Sequence, residues 1–308
     1  MIELTDTNSA EIAAEFVRAR IRAGSPAMGM VMTLIIVVDE DDAGDAMEAA
    51  RLASREHPAR VLGVILGSAR GRAEVNAQVG IGQAWTGETA LIRLRGEVVK
   101  HPESVVLPLL LPDSPVAIWW PTDAPHDPAA DPLGALAQRR ITDAAAVTRN
   151  KTRAIHQMCT TYAKGNTDLA WTRITPWRAL LAASLDQQPL KVRRASVTAE
   201  RISPSAELLR AWLNDRLKIP VDRSNSAGPG ITEVVLETAE GPIRISRRDG
   251  KLATFSSPGR PDRPVALKRR ELPDLLAEEL RRLDEDDVYR DTTRRLMKLD
   301  GSATNEKG

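Results

Sequence analysis

Two apolar β-strands joined by one helix constrain the fold of this chain more than any other feature. The runs Met30–Val38 (MVMTLIIVV) and Arg60–Leu66 (RVLGVIL) are continuously apolar and rich in β-branched residues. Such runs are typical of strands covered on both faces of a sheet. Between them, Ala43–Arg55 places small residues on one helical face: Ala46, Ala49, Ala50 and Ala53. The sequence therefore predicts a right-handed β-α-β unit with a locally parallel sheet.

A β-hairpin is predicted after this unit, which makes the sheet mixed. Glu74–Gln83 and Glu88–Leu94 alternate apolar and polar residues, and Trp85-Thr86-Gly87 between them is the predicted turn. Pro102–Leu111 follows as a short kinked helix, because Pro108 within it would interrupt the hydrogen-bond ladder of a central strand.

Two polar segments at strand ends allow a ligand site as well as a plain structural role. Asp39–Asp42 follows the first strand, where carboxylates either bind Mg²⁺ or begin the next helix. Gly67–Gly71 (GSARG) follows the second strand, where backbone amides either hold a phosphate or form an ordinary turn. The glycine turn lacks both GxGxxG and GxxxxGK[ST], which favours an ordinary turn at Gly67–Gly71. At Asp39–Asp42 we favour the start of a helix.

The stretch Val105–Asp143 carries an unusual density of special residues. It holds two adjacent tryptophans, a pair of arginines and prolines at 108, 112, 115, 121, 125, 128 and 132. We predict a strand at Pro115–Trp120, a loop at Pro121–Pro132, a helix at Leu133–Arg139 and a strand at Ile141–Ala146. The stretch contains no pairing of nucleophile and base, so we interpret it as a built surface rather than a reaction centre.

The adjacent tryptophans of this stretch, Trp119 and Trp120, must point to opposite faces of their strand. If one lies in the core, the other faces outward or lies under a loop. The alternative is that the proline-rich loop covers both.

The C-terminal part changes from helices to short strands. Asn150–Lys164, Trp177–Leu185 and Ser205–Leu217 have helical periodicity, and from Ile219 onward antiparallel strands alternate with tight turns such as Glu240-Gly241 and Asp249-Gly250. Two closing helices are predicted at Glu271–Asp284 and Asp286–Leu299. The predicted class is α/β, with an α/β domain at 1–167, an α+β domain of antiparallel strands and helices at 168–300, and a disordered tail at 301–308.

Composition narrows the class of function. The net charge is +1, which disfavours nucleic-acid binding, although arginine pairs such as Arg294-Arg295 leave open a salt-dependent affinity for DNA. One cysteine, Cys159, indicates a reducing compartment, and neither a leader nor an apolar run of membrane-spanning length is visible. We expect a cytoplasmic protein that binds no membrane.

No motif for catalysis or metal binding stands out. The four histidines form no HxxxH or HExxH pattern, and Cys159 lies on the apolar side of its helix. We therefore predict no catalytic residue, no cofactor and no metal. A cofactor-free enzyme that uses scattered carboxylates is not ruled out by motifs.

Four segments resemble one known family. The runs ASREHPARV, LPLLLPDSPVAIWWP, DPLGALAQRRITDAA and DLAWTRITPWRALL closely resemble the glucose-6-phosphate dehydrogenase assembly protein (OpcA) family, strongly over Val31–Asp186. The resemblance implies a non-catalytic protein that binds glucose-6-phosphate dehydrogenase and acts as an assembly factor or allosteric effector, supporting the oxidative pentose phosphate pathway and NADPH supply. Because Cys159 is the only cysteine, a redox switch by an intramolecular dithiol is not available to this chain.

The residues that we expect at the partner interface come from residue type and from the matching segments. Tryptophan and arginine are enriched at interface hot spots. The candidates are Trp119, Trp120, Arg139, Arg140, Asp143, Trp171, Arg173 and Arg178. The alternative function is an α/β enzyme or sensor for a sugar phosphate or nucleotide, which rests on the β-α-β unit and the Gly67–Gly71 turn.

Overall fold

The structure of the protein is a computed structural model that describes residues 1–22, 24, 29–81, 87–187, 189–247 and 250–305. The chain divides into two compact units, each assembled from separate stretches of sequence. Unit 1 contains Met1–Asp143, Ala163–Thr167 and Glu271–Glu285, and unit 2 contains Ala144–Tyr162, Asp168–Arg270 and Asp286–Gly308. The α/β class with mixed sheets is confirmed.

A sheet of eight strands forms the centre of unit 1. In chain order the strands are β1 (Ile2–Leu4), β2 (Met32–Val37), β3 (Ala59–Leu66), β4 (Glu74–Ile81), β5 (Glu88–Arg95), β6 (Val116–Trp119), β7 (Arg139–Thr142) and β8 (Asn166–Asp168). The spatial order is β1-β4-β5-β3-β2-β6-β7-β8. Strands β5, β3, β2, β6 and β7 are parallel to one another, and β1 and β4 add an antiparallel edge.

The helices of this unit are α1 (Ser9–Arg22), α2 (Ala43–Ala53), α3 (Pro102–Val106) and α8 (Leu272–Arg281), with 3-10 turns at Gly96–Lys100, Leu107–Leu109 and Gly134–Leu136. The predicted β-α-β unit is confirmed, since β2 and β3 pair in parallel around α2. The predicted hairpin is confirmed as β4 and β5, although residues 82–86 of its connection lie outside the described residues. The kinked helix is also confirmed, as α3 followed by one 3-10 turn.

Two predictions in this unit are wrong. The predicted helix at Leu133–Arg139 is only a 3-10 turn, and the strand predicted at Ile141–Ala146 begins earlier, at Arg139. The reason is long-range pairing: Arg139 and Arg140 lie beside Ala117 and Ile118 of β6, and the Gln138 side chain accepts a hydrogen bond from the Val116 amide at 2.6 Å. Partners in the sheet thus override the local helix-start signal of Asp131-Pro132.

A second sheet, of six strands, forms the centre of unit 2. Its strands are β9 (Val192–Glu200), β10 (Val221–Ser226), β11 (Ile231–Thr238), β12 (Pro242–Ser246), β13 (Leu252–Ser256) and β14 (Arg263–Ala266), in the spatial order β10-β9-β11-β12-β13-β14. Pairs from β11 to β14 are antiparallel, as predicted. Strands β9 and β10 are parallel, which corrects the prediction of a purely antiparallel arrangement.

The helices of unit 2 are α4 (Lys151–Thr160), α5 (Leu169–Thr172), α6 (Thr175–Gln187), α7 (Pro204–Leu217) and α9 (Asp287–Asn305). Helix α7 links β9 to β10, and a crossover helix of this length lets two consecutive strands run in parallel. The apolar core packs around Trp171, Trp177 and Tyr289.

The ends of the predicted segments also differ from the structure. Helix α9 continues to Asn305 where a disordered tail was predicted from residue 301, and residues 306–308 lie outside the described part of the chain. Helix α8, which the sequence division placed in the second domain, belongs to unit 1, where it packs on α2. None of the described helices combines the length and the apolar character that crossing a membrane requires.

Candidate functional site

The adjacent tryptophans are both buried, on opposite sides of β6. Trp119 has no accessible surface, and Trp120 is 2% exposed. The Trp120 amide donates to the Ile141 carbonyl at 3.0 Å, and its ring packs beside Gly134, where a Cβ atom would lie 3.2 Å from the ring and 1.9 Å from the Pro128 carbonyl oxygen. Trp119 therefore lies in the core and Trp120 lies beside the proline-rich loop, and neither ring faces solvent.

The loop beside Trp120 is held by aspartate side chains. Asp127 accepts hydrogen bonds from the amides of Ala129 and Ala130, and Asp131 accepts from Leu133 and Gly134, at 2.9 to 3.2 Å. Short side-chain-to-backbone bonds of this kind replace regular secondary structure in turns. The proline-rich stretch is thus a fixed cover over the core and not a surface that presents its tryptophans.

Arg139 takes part in a buried ion pair. Its guanidinium binds the Glu279 carboxylate and donates to the Asp284 carbonyl at 3.2 Å, and both charged side chains are nearly inaccessible. The pair joins β7 to α8 within unit 1. Paired charges of this kind are strongly coupled when water is excluded.

Arg140 is surrounded by hydrogen-bond acceptors from its own unit. It donates to the Asn166 side chain at 2.6 Å and to the carbonyls of Ala137 (2.6 Å), Gly134 (3.3 Å) and Lys164. Gly165 leaves room for the Arg140 side chain: its φ is +89°, and a Cβ atom there would lie 3.2 Å from the Arg140 guanidinium and 2.1 Å from the Gln138 carbonyl oxygen. Asp143, at the end of the same segment, is 1% exposed.

Trp171 joins an aromatic cluster in unit 2. Its indole N–H donates to the Asp286 carboxylate at 2.8 Å, and its ring lies 5.5 Å from that of Tyr289. The Arg178 guanidinium lies over the Trp171 ring, 3.6 Å from its centre, and also donates to the Thr175 hydroxyl at 3.1 Å. These contacts fix the start of α9 against α5 and α6.

The eight residues predicted at the interface therefore do not form one exposed surface. Six of them are buried, each with at most 9% of its surface exposed, so they offer a partner little area for direct contact. Arg173 and Arg178, both in unit 2, are partly exposed. We keep these two as candidates for direct contact, and we assign the other six to the framework that holds each unit together.

A cationic cavity in unit 2 is a site that the sequence did not reveal. It has a volume of about 280 Å³ and lies among the ends of β9, β11 and β12, the start of α7 and the segment that follows β14. Of the residues that the structure describes, six with basic side chains line it: Lys151, Arg173, Arg247, Lys268, Arg269 and Arg270. The usable signal in the sequence was the recurrence of arginine pairs, which we considered as a basis for affinity for DNA.

The turn at Gly67–Gly71 shows no comparable arrangement. The Gly67 amide already donates to the Leu94 carbonyl at 3.0 Å, and the Arg70 amide donates to the Ser68 hydroxyl at 3.1 Å. These two donors are therefore engaged within the protein. This geometry is that of an ordinary turn.

The acidic segment after β2 also has a structural role. Asp42 occupies the N-cap position of α2, without a side-chain cap bond, and Glu40 binds Arg93 at 2.7 Å. The hydrogen bond from Arg93 lowers the pKa of Glu40. Among the described residues, no three His, Cys, Asp or Glu side chains are grouped as a metal site would need. Cys159 is buried.

Comparison with solved structures gives only distant likenesses. An oxidoreductase from Sinorhizobium meliloti is 9% identical with a TM-score of 0.40, covering 90% of this chain and 89% of that one. An oxidoreductase from Pseudomonas syringae is 10% identical with a TM-score of 0.38, covering 91% and 90%. Scores at this level carry no argument about function. No curated protein matches the chain.

Comparison with protein families gives two matches that follow each other along the chain. Residues 50–160 match the N-terminal domain of the glucose-6-phosphate dehydrogenase subunit, in the assembly-protein model. Residues 164–293 match the C-terminal domain of the same subunit. The two matches together cover most of the sequence, in the order that the family has, so this chain belongs to the OpcA family of glucose-6-phosphate dehydrogenase assembly proteins.

Proposed function

We propose that this protein binds glucose-6-phosphate dehydrogenase and promotes the active oligomer of that enzyme, without a catalytic group of its own. The observation that supports the proposal is the pair of family matches, both of which describe a subunit of the dehydrogenase. The protein would act in the cytoplasm and increase flux through the oxidative pentose phosphate pathway, and so the supply of NADPH.

The physical basis of such activation is linkage. A partner that binds the assembled dehydrogenase more tightly than the separate subunits shifts the equilibrium toward the assembly. The size of this shift is limited by the difference between the two affinities. The same difference stabilises the active conformation if that conformation and the assembly are coupled.

Unit 2 carries the candidates for direct contact. Arg173 and Arg178 keep exposed surface, and arginine forms forked hydrogen bonds that suit protein interfaces. The buried ion pair of Arg139 and Glu279 and the hydrogen bonds of Arg140 would support the contact indirectly, by fixing the segments around them.

The test is a titration of the dehydrogenase with this protein at enzyme concentrations low enough for its oligomer to dissociate. We expect the specific activity to rise and then saturate, because binding favours the assembled form. This protein alone should show no turnover of glucose 6-phosphate with NADP⁺. An activity that stays flat over the whole titration would remove the proposal.

A further inference from the structure

We propose that the cationic cavity of unit 2 binds the phosphate monoester of a small polyhydroxylated metabolite. The proposal does not rest on the proposed function, because it is carried by the charge, the size and the polar groups of the cavity itself.

The charge of the cavity walls favours a doubly charged anion. Among the described residues, six basic side chains and one acidic side chain, that of Glu200, line the cavity. Within the described part of the chain, Lys151, Lys268 and Arg269 form no ion pair. Like charges that converge on one space repel each other, and a bound phosphate relieves this repulsion.

The arginines of the cavity are held in place by the main chain. Arg247 is buried and donates to the carbonyls of Leu267 at 2.8 Å and Ile231 at 3.1 Å, while its guanidinium lies 5.0 Å from the centre of the Trp177 ring. Arg270 is held in the same way by the Thr172 carbonyl. Side chains fixed before binding lose little conformational entropy when a ligand arrives.

Arg269 is placed by a glycine. Gly230 has a φ of +62°, and a Cβ atom at this position would lie 2.4 Å from the Arg269 guanidinium. The Arg269 amide donates to the Gly250 carbonyl at 3.1 Å. The absence of a side chain at residue 230 therefore lets the guanidinium lie against the backbone at the edge of the cavity.

The start of α7 adds a favourable dipole to the same space. Ser203, Pro204 and Ser205 line the cavity, and the helix they begin is 14 residues long. The N-terminus of a helix carries a partial positive charge that stabilises anions nearby. The helix end and the basic side chains thus act on a ligand in the same sense.

The size of the cavity and the Glu200 carboxylate indicate what the anion is attached to. The volume of about 280 Å³ lies just below the range of roughly 300–1,000 Å³ found for ligand pockets. It suits one monosaccharide-sized group rather than a dinucleotide. Glu200 can accept hydrogen bonds from the several hydroxyl groups of a polyhydroxylated metabolite. Inorganic phosphate in its dianionic form has only one hydroxyl group that can donate.

Isothermal titration calorimetry of the full chain tests the proposal with four probes: glucose 6-phosphate, glucose, inorganic phosphate and NADP⁺. We expect glucose 6-phosphate to bind more tightly than inorganic phosphate, glucose to give no heat, and NADP⁺ to bind more weakly than the hexose phosphate. Binding should weaken as salt increases, because the interaction is between charges.

Paired variants locate the site. Lys268→Gln with Arg269→Gln removes two exposed cations of the cavity, and Arg193→Gln with Arg260→Gln removes two exposed cations of the same unit outside its lining. The cavity variant should lose roughly tenfold or more in affinity for glucose 6-phosphate, since hydrogen bonds from charged donors to a phosphate are lost. The control variant should bind as the original protein does.

Each other outcome overturns the proposal. Absence of heat with all probes at millimolar concentration excludes a small-anion site, as does an equal loss in the two variants. Equal affinity for inorganic phosphate and glucose 6-phosphate means a site for free phosphate instead of an ester. The cavity variant could also bind glucose 6-phosphate as the original protein does and bind the dehydrogenase more weakly. In that case the basic groups contact an acidic segment of the dehydrogenase. None of these measurements depends on activation of the dehydrogenase, so the two proposals fail separately.

Discussion

At the scale of single residues, arginine and tryptophan have two roles that sequence alone does not separate. Both types are enriched at protein interfaces and both also fill cores when their polar ends find partners. Arg139 finds Glu279, 140 residues further along the chain, and Trp171 finds Asp286, 115 residues further along. Partners at such separations cannot be deduced from the local sequence pattern. The sequence therefore did not show that these side chains are buried when we predicted an interface at them.

Glu279→Gln should destabilise the protein because it leaves the buried guanidinium of Arg139 without its counter-charge. We expect a loss of about 3 kcal/mol in the free energy of unfolding, measured by urea denaturation at neutral pH. Asp274→Asn neutralises an exposed carboxylate on the same helix and should cost well under half as much. Equal losses in the two variants would show that the buried ion pair adds nothing.

Glu15 should make stability depend on pH. Hydrogen bonds from Arg22 and Arg18 lower the pKa of this carboxyl. A lowered pKa in the folded state stabilises the protein above the ordinary glutamate value of about 4.3, and this stabilisation is lost as the pH falls through the folded value. Glu15→Gln should therefore lower Tm at pH 7, and the difference from the original protein should shrink in acid.

The matched control for this experiment is Glu240→Gln, an exposed carboxylate that forms no ion pair with the described residues. Its Tm should follow that of the original protein at every pH. A Glu15→Gln deficit that is the same at pH 7 and in acid would contradict the role given to the two arginines.

At the scale of elements, periodicity predicted the helices and strands that depend on the local sequence. It failed for segments whose structure is decided by pairing with a distant strand. The buried strands β2 and β3, the hairpin β4–β5 and the kinked α3 all follow from apolar spacing and proline positions. The segment Leu133–Arg139 has good helix signals, yet its end is taken into the sheet beside β6. Strand β10 looks like one more short strand in a meander, and only the path through α7 makes it parallel to β9.

Helix α7 begins with a side-chain cap. The Ser203 side chain accepts a hydrogen bond from the Ala206 amide, and Pro204 occupies the first turn. Ser203→Ala should cost about 1 kcal/mol of unfolding free energy, whereas Ser203→Asp keeps the acceptor and should retain stability. Thermal and urea unfolding would show this. A Ser203→Asp protein as unstable as Ser203→Ala would mean that the cap does not stabilise the helix.

At the scale of the whole molecule, each unit draws on segments distant in sequence. Unit 1 takes α8 from near the C-terminus, and unit 2 takes α4 from within the N-terminal family match. Composition and spacing along the sequence do not show these exchanges. The cavity was invisible for the same reason, because its walls come from six separate stretches between Ala145 and Arg270. The family, in contrast, was evident from four short motifs.

We expect this protein to form a specific complex with glucose-6-phosphate dehydrogenase. The most direct test is size-exclusion chromatography with light scattering on the two purified proteins, alone and mixed at micromolar concentration. We predict a new peak whose mass equals a dehydrogenase oligomer plus whole copies of this chain, and which contains both proteins. Two peaks with unchanged masses at every mixing ratio, with no change in the oligomeric state of the dehydrogenase, would show that the two proteins form no such complex.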